Sequence, residues 1–174
     1  MIYSIIIDSN GNGIGSHAYV EEPTSYPSNE VPCTQAQAQN PSLYQVVNGQ
    51  IIESLQAAQS AQIALLQSAF QQAEQAPISI TLASGVTTSF GMTPHDWTKI
   101  VGLYSKYVAK GIALPSGYQI PDANGTLQAV TVADIENLFN AGETQMTGAI
   151  TKLASLVGEV KAATTVSAVQ AIVW

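Results

Sequence analysis

The sequence has no arginine, and its first 95 residues contain no lysine either. All five lysines lie between residues 96 and 174, and the formal net charge is −7. Proteins that bind nucleic acids replace the counterions of the phosphates with Lys and Arg, and they often read base edges with Arg. The composition therefore argues against nucleic acids and other large polyanions as partners.

The sequence also lacks a long apolar run and has a single cysteine, Cys33. A membrane-spanning helix needs about 20 consecutive apolar residues, so we expect no membrane insertion. The apolar start, residues 1–8, is short and has no basic flank, which predicts a strand rather than a signal peptide. One thiol excludes an intrachain disulfide and a cysteine-based metal site.

Residues that could carry chemistry are few. Of the two histidines, His95 has no metal-type partner three or four positions away, and His17 has a single one, Glu21, which does not make a ligand set. Asp8-Ser-Asn-Gly-Asn-Gly13 matches the first half of a calcium loop. However, Tyr19 occupies the twelfth position, where a bidentate acid is required, so a β-turn is the preferred interpretation. We therefore expect no enzyme, no catalytic residue, no cofactor and no metal site.

The most unusual segment is an Ala/Gln run over residues 53–76, which contains no Gly or Pro and one charge after Glu53, that of Glu74. Strong helix formers predict one helix of roughly 36 Å, at about 1.5 Å per residue. Two neighbouring apolar stripes compete on it, which favours a small bundle over a strict coiled coil. We expect a neighbouring subunit to bury this narrow stripe, through Ile52, Leu55, Ile63, Leu66 and Phe70.

The pattern predicts an α+β fold with three regions. Residues 1–50 form an N-terminal attachment region, in which a β-hairpin is followed by an extended Pro-rich arm over residues 21–41 and a second hairpin around Asn48-Gly49. Residues 51–76 form the connecting helix. Residues 77–174 form a C-terminal α+β domain with two hairpins and helices.

Within this C-terminal domain, alternating apolar residues predict a hairpin over residues 78–90, and Asn124-Gly125 marks a second one over residues 118–130. Helix starts follow each hairpin, at Thr93-Pro-His-Asp96 and at the capping-box sequence Thr131-Val-Ala-Asp134. A short closing helix leads to Trp174, a candidate interface residue.

This order of elements resembles an uncharacterised C-terminal domain of bacteriophage tail fibre and tail-fibre-assembly proteins. The resemblance rests on the Trp97-bearing helix between the hairpins, the Thr131–Asp134 start of a long helix, and the segment Lys161–Ile172. The first strand, the Pro-rich arm and Val46–Ile52 are similar to the front of the same proteins. The sequence departs from them at the Ala/Gln helix, where relatives often have charged, variable linkers.

The resemblance implies a virion protein of the tail fibre or baseplate periphery, made in the cytoplasm of the bacterial host. Its expected partners are other tail, fibre or baseplate proteins and further copies of itself, most simply in a homotrimer. Two alternatives remain open. One is a tail-fibre assembly chaperone, and the other is a module that binds glycan receptors of the host through its tyrosines and tryptophans.

Overall fold

The structure is a computed structural model that describes residues 1–174. It confirms the α+β class, with five α-helices and several small antiparallel sheets. The residues group into two compact units, one of residues 1–66 with 156–173 and one of residues 67–155 with Trp174. This grouping differs from the three predicted regions, since the last part of the chain belongs to the same unit as the first.

The first unit contains a three-stranded antiparallel sheet. Its strands are β1 (Ile2–Ile7), β2 (Gly13–Tyr19) and β3 (Glu30–Cys33), with β1 in the centre. Ser4 of β1 lies opposite His17 of β2 and Pro32 of β3. Helix α1 (Gln35–Gln39), a 3₁₀ turn (Pro41–Leu43) and the hairpin of β4 (Tyr44–Val47) and β5 (Gln50–Glu53) follow.

The prediction of an extended arm over residues 21–41 is wrong in its second half. Residues 30–33 pair with β1 as an edge strand, and α1 follows immediately. The helix begins because Thr34 and Gln37 form a capping box, in which each side chain satisfies the backbone of the other residue. Ala38 is buried, and its carbonyl accepts a hydrogen bond of 2.7 Å from Ser16 Oγ. This half of the arm therefore folds onto its own sheet.

The Ala/Gln segment forms helix α2 (Leu55–Glu74), shorter than the predicted 51–76. Ile51 and Ile52 belong to β5 instead, because Ser54 ends the strand and accepts a hydrogen bond from the Ala57 backbone N–H through its side chain. Two further helices are α4 (Val132–Ala162) and α5 (Val166–Gln170). None of the helices is both long and apolar enough to cross a bilayer.

In the first unit, the end of α4 and the segment after it cover α2. Gln59 Nε2 of α2 donates to the carbonyls of Val160 at 3.1 Å and Ala163 at 3.2 Å. Gln62 Nε2 donates to the Ile172 carbonyl at 2.6 Å. Leu66 is 1% exposed. The expectation that another subunit must cover this stripe is therefore corrected, because residues 156–173 of the same chain do so.

The second unit is built around the other end of α4. Its strands form two hairpins, β6 (Ile78–Thr81) with β7 (Thr87–Phe90) and β8 (Gln119–Pro121) with β9 (Leu127–Ala129). Between the hairpins lie α3 (Pro94–Leu103) and a π-helical segment (Tyr104–Ala109). Both hairpins and both helix starts agree with the predictions. The core combines Ile78, Leu82, Phe90, Met92, Ile100, Tyr107, Val130, Ile135 and Leu138.

The predicted capping box at the start of α4 is present and has a further role. The Thr131 backbone N–H and hydroxyl both donate to Asp134 Oδ2, and the Asp134 backbone N–H donates to Thr131 Oγ1. The second carboxylate oxygen of Asp134 accepts from the Ala83 backbone N–H at 2.8 Å. Asp134 is buried but fully hydrogen-bonded, so it joins the first hairpin to α4.

In this unit, a glutamine also caps the end of α2. Gln145 Nε2 of α4 donates to the carbonyls of Ala73, Glu74 and Ala76 at 3.0, 3.3 and 2.8 Å. The last carbonyls of a helix have no partner within it, and neither α2 nor α4 is followed directly by glycine. Each of these two helices thus receives its C-terminal hydrogen bonds from a glutamine of the other, through Gln59 in the first unit and Gln145 in the second.

We predict that Gln59→Ala and Gln145→Ala each lower the free energy of unfolding by about 1–3 kcal/mol, since each leaves helix-end carbonyls without a donor. Urea denaturation followed by circular dichroism measures the loss. Gln56→Ala is the matched control, because Gln56 is exposed on α2 and its side chain caps no helix. Equal stability of all three variants would contradict the capping role.

Candidate functional site

The second unit contains a groove with a volume of about 830 Å³. It lies between α3 with the π-helical segment on one side and the β8–β9 hairpin on the other. Buried apolar side chains form part of its lining, namely Phe90, Met92, Ile100 and Leu138. Clefts of this size with a mostly apolar lining are typical of binding sites. We call it the α3 groove.

The π-helical segment shapes one wall of the α3 groove. The Lys110 N–H bonds to the carbonyl of Ser105, five residues earlier, instead of four as in an α-helix. Lys106 and Tyr107 of this segment line the groove together with Leu103, the last residue of α3. The Tyr107 ring meets that of Tyr118 at a centroid distance of 5.7 Å. Short π-helical insertions are rare and often occur at functional sites.

The two carboxylates in the lining of the α3 groove both accept hydrogen bonds from neighbouring residues. Asp122 accepts four hydrogen bonds: Oδ1 accepts from the N–H groups of Asn124 and Thr126, and Oδ2 accepts from the side chains of Thr88 and Gln128. These bonds, above all the one from Gln128, hold the pKa of Asp122 below its ordinary value. The second carboxylate, Asp96, accepts from Thr93 Oγ1 at 2.6 Å.

Two lysines of the groove lining have no carboxylate partner. Lys99 and Lys106 are exposed, and the only ion pair of the structure joins His17 to Glu30 in the other unit. Lys106 Nζ lies 4.9 Å from the centroid of the Tyr107 ring, a cation–π contact. The α3 groove therefore combines an apolar lining with two lysines and two aspartates, whose formal charges cancel.

The first unit contains a polar cluster centred on Glu30. Its carboxylate accepts from Ser4 Oγ at 2.6 Å and from the Tyr19 hydroxyl at 2.5 Å, and it lies 2.8 Å from His17 Nδ1. The bond from Ser4, followed by that from Tyr19, lowers the pKa of Glu30. The bond to Glu30 raises the pKa of Tyr19 in turn. Because these residues come from all three strands, the cluster holds the sheet together.

The residues predicted to mediate self-association differ in burial, and they do not all lie on α2. Leu66 is buried, while Leu55, Ile63 and Phe70 are half-buried on the covered side of α2. Ile52 is 45% exposed, but it lies on β5 instead of the helix. These residues therefore do not form one exposed stripe.

The predicted interface residue Trp174 is half-buried. Its ring meets the Phe70 ring at a centroid distance of 6.3 Å in an edge-on arrangement, and Lys152 Nζ lies 4.8 Å from its centroid. Trp174 is therefore engaged in packing inside the second unit.

The calcium-like sequence at Asp8 forms a turn, in agreement with the preferred interpretation. Asp8 Oδ1 accepts from the N–H groups of Asn10 and Asn12 at 2.8 and 2.9 Å, and Gly11 has a positive φ of 82°. Asp122 uses its Oδ1 in the same way in the β8–β9 turn, where Gly125 has the same φ. The shared sequence Asp-x-Asn-Gly thus encodes one type of hairpin turn used twice.

The sequence pattern does not predict the α3 groove or the Glu30 cluster. A signal for the groove was present, since Lys99 and Lys106 lie seven residues apart and therefore about two helical turns from each other. For Glu30 the sequence offered no signal, because its partners come from strands whose pairing was not predicted.

Comparison of the chain with protein-family models, with curated proteins and with solved structures finds no match in any of the three. The geometry and the charges of the two units therefore carry the functional interpretation, together with the resemblance described above.

We predict that acid destabilises the first unit through Glu30. Because its pKa is depressed in the folded state, its stabilising contribution is complete above the ordinary value of 4.5 and is lost as the pH falls through the lower folded value. Melting temperatures measured between pH 3 and 7 should therefore depend less on pH in Glu30→Gln than in the parent.

Glu21→Gln is the matched control for this comparison, since it removes an exposed carboxylate of the same unit without changing the hydrogen bonds of Glu30. It should retain the acid dependence of the parent protein. Parallel pH curves for Glu30→Gln and the parent would show that the cluster does not contribute in this way.

Proposed function

We propose that this chain is a structural protein of a phage virion, located in the tail fibre or at the baseplate periphery, where it connects neighbouring tail proteins. It acts by binding, not by catalysis, and it works as a homo-oligomer, most simply a trimer. The resemblance of its hairpins, helix starts and C-terminal segment to tail fibre proteins supports the location.

The α3 groove is the observation that carries the binding role. Its apolar lining suits a polypeptide segment with apolar side chains, and its unpaired lysines suit carboxylates. Its own carboxylates are engaged in a helix cap and a hairpin turn, where they accept hydrogen bonds from several donors. Such carboxylates support the local fold, which favours recognition over acid–base chemistry at this site.

The intramolecular cover of α2 changes how self-association is proposed to occur. The stripe that would have joined subunits is packed against residues 156–173 in the first unit. We therefore propose that subunits associate through a different surface, and the α3 groove is a concave surface that the second unit offers.

An assembly chaperone for the tail fibre would use the same groove but leave the finished particle. A glycan-binding module is the other candidate, and the half-buried ring of Tyr118 in the groove lining favours it, since sugars bind against aromatic faces. Its distinguishing property would be binding to host surface glycans in the absence of any other tail protein.

We predict that purified virions of the phage that encodes this chain contain it in a fixed copy number divisible by three. Quantitative mass spectrometry against a known tail protein measures that number. Light scattering of the isolated protein should give three times the 18.2 kDa of one chain. A chain abundant in the lysate but missing from virions would instead identify the chaperone, and binding to host glycans by a monomer would identify the receptor module.

A further inference from the structure

The four Asn-Gly pairs of the chain differ in their local structure. They lie in or beside hairpin turns, and they are Asn10-Gly11, Asn12-Gly13, Asn48-Gly49 and Asn124-Gly125. The backbone nitrogen of the residue after an asparagine can attack the side-chain amide carbon, and glycine hinders this attack least because it has no Cβ. Each pair is therefore a candidate site of spontaneous deamidation.

At Asn48-Gly49, neither reacting group is held by a hydrogen bond. The pair forms the two-residue turn between β4 and β5, where Val47 lies opposite Gln50. Both turn residues are exposed, and their φ angles of 52° and 78° fit a type I′ turn. The Asn48 amide and the Gly49 N–H have no hydrogen-bond partner. A Cβ built on Gly49 would have no atom within 4 Å, so the tip of this turn is surrounded by open space.

At two of the other pairs, the attacking nitrogen is engaged in a hydrogen bond. The Gly11 N–H donates to the Asp8 carbonyl at 3.1 Å, and the Gly125 N–H donates to the Asp122 carbonyl at 2.9 Å. In each turn the aspartate Oδ1 also accepts from the N–H of the asparagine and from that of the residue after the glycine. Ring closure at these two pairs must therefore break a bond to the nucleophile and distort a turn that an aspartate side chain holds.

At Asn12-Gly13, the side-chain amide is engaged. Asn12 Nδ2 donates to Asp8 Oδ2 at 3.0 Å, which holds the amide against the carboxylate. Gly13 is buried at the start of β2, and a Cβ built there would overlap the Pro41 carbonyl. Both the amide and the backbone of this pair are therefore restrained from reaching the geometry of attack.

We propose that Asn48 is the site at which the folded protein deamidates. The Gly49 nitrogen attacks Asn48 Cγ and loses its proton, the side-chain nitrogen leaves as ammonia, and a five-membered succinimide forms. Water then opens the ring at one of its two carbonyls, which gives aspartate or isoaspartate. Overall, an amide and water become a carboxylate and ammonia without an oxidant or a cofactor. Each event adds one negative charge to the net charge of −7. This inference does not depend on the proposed virion role.

The isoaspartate product has a structural consequence. Its main chain runs through the former side chain and gains one carbon atom, which a two-residue turn cannot accommodate in the Val47–Gln50 register. β5 pairs with β4 alone, whereas β4 is also held by the Val46 N–H, which donates to the Gly11 carbonyl at 2.8 Å. Formation of isoaspartate at residue 48 therefore loosens β5, the strand that leads into α2.

The four pairs serve as internal controls for one another. The folded protein is kept in mildly alkaline buffer, and samples are cleaved after glutamate, since the first 95 residues offer trypsin no Lys or Arg. Peptide mass spectrometry follows conversion at each pair. We expect Asn48 to convert at least about tenfold faster than the other three asparagines, because attack at those sites must first break hydrogen bonds. In concentrated urea the four rates should become similar, since unfolding removes these bonds.

A substitution in the turn checks the assignment independently. Asn48→Gly removes the reacting amide and keeps a residue that accepts a positive φ. It should abolish most of the isoaspartate that a protein isoaspartyl methyltransferase detects in the aged protein. Asn124→Gly is the matched control, since it removes the amide of another hairpin turn, and it should leave the isoaspartate content unchanged. Circular dichroism verifies that both variants are folded.

Three results would overturn the proposal. The first is conversion at Asn10, Asn12 or Asn124 in the folded protein that is as fast as at Asn48, or no conversion at Asn48 when the unfolded chain converts it. The second is an aged Asn48→Gly variant with the isoaspartate content of the parent. The third is a preference for Asn48 that is equally strong in urea, because the local sequence and not the fold would then select the site.

Discussion

The fold depends on hydrogen bonds through which each of the two long helices, α2 and α4, caps the C-terminal end of the other. A helix leaves its last carbonyls without internal partners, and glycine usually supplies the turn that satisfies them. Here Gln59 of α2 donates to carbonyls at the end of α4 in the first unit, and Gln145 of α4 donates to those at the end of α2 in the second. A helix rich in glutamine and with one charged residue, Glu74, is thus stabilised by specific hydrogen bonds of long, flexible amides.

This arrangement determines which surfaces remain for other molecules. With the stripe of α2 covered inside the chain, the exposed positions of that helix are mainly Gln, Ser and Ala, which water solvates well. The α3 groove of the second unit, with its apolar lining, is then a surface that remains for other molecules.

Much of the local structure was predictable from the sequence. Alternating apolar residues with Asn-Gly or Ser-Gly turns predicted all the tight hairpins, and Thr93 and Thr131 predicted the two helix starts. The errors occurred where distant segments decide the outcome. The sequence does not predict β3, because this strand contains Pro32 and lies in a Pro-rich segment with many polar residues. It forms a strand because β1 offers an edge with which it can pair. Ile52 was placed on the helix because its spacing fits, although Ser54 ends the strand after it.

The sequence by itself determined the fold class, the turns and the helix caps, because these depend on residues within a few positions of each other. It also determined the uneven charge, with lysines confined to residues 96–174. Tertiary structure alone decided which chain covers α2, since the donors and acceptors concerned are separated by 101 residues in the case of Gln59 and Val160. It likewise decided that His17 pairs with Glu30, because an ion pair depends on distances in space, which the order of residues does not specify.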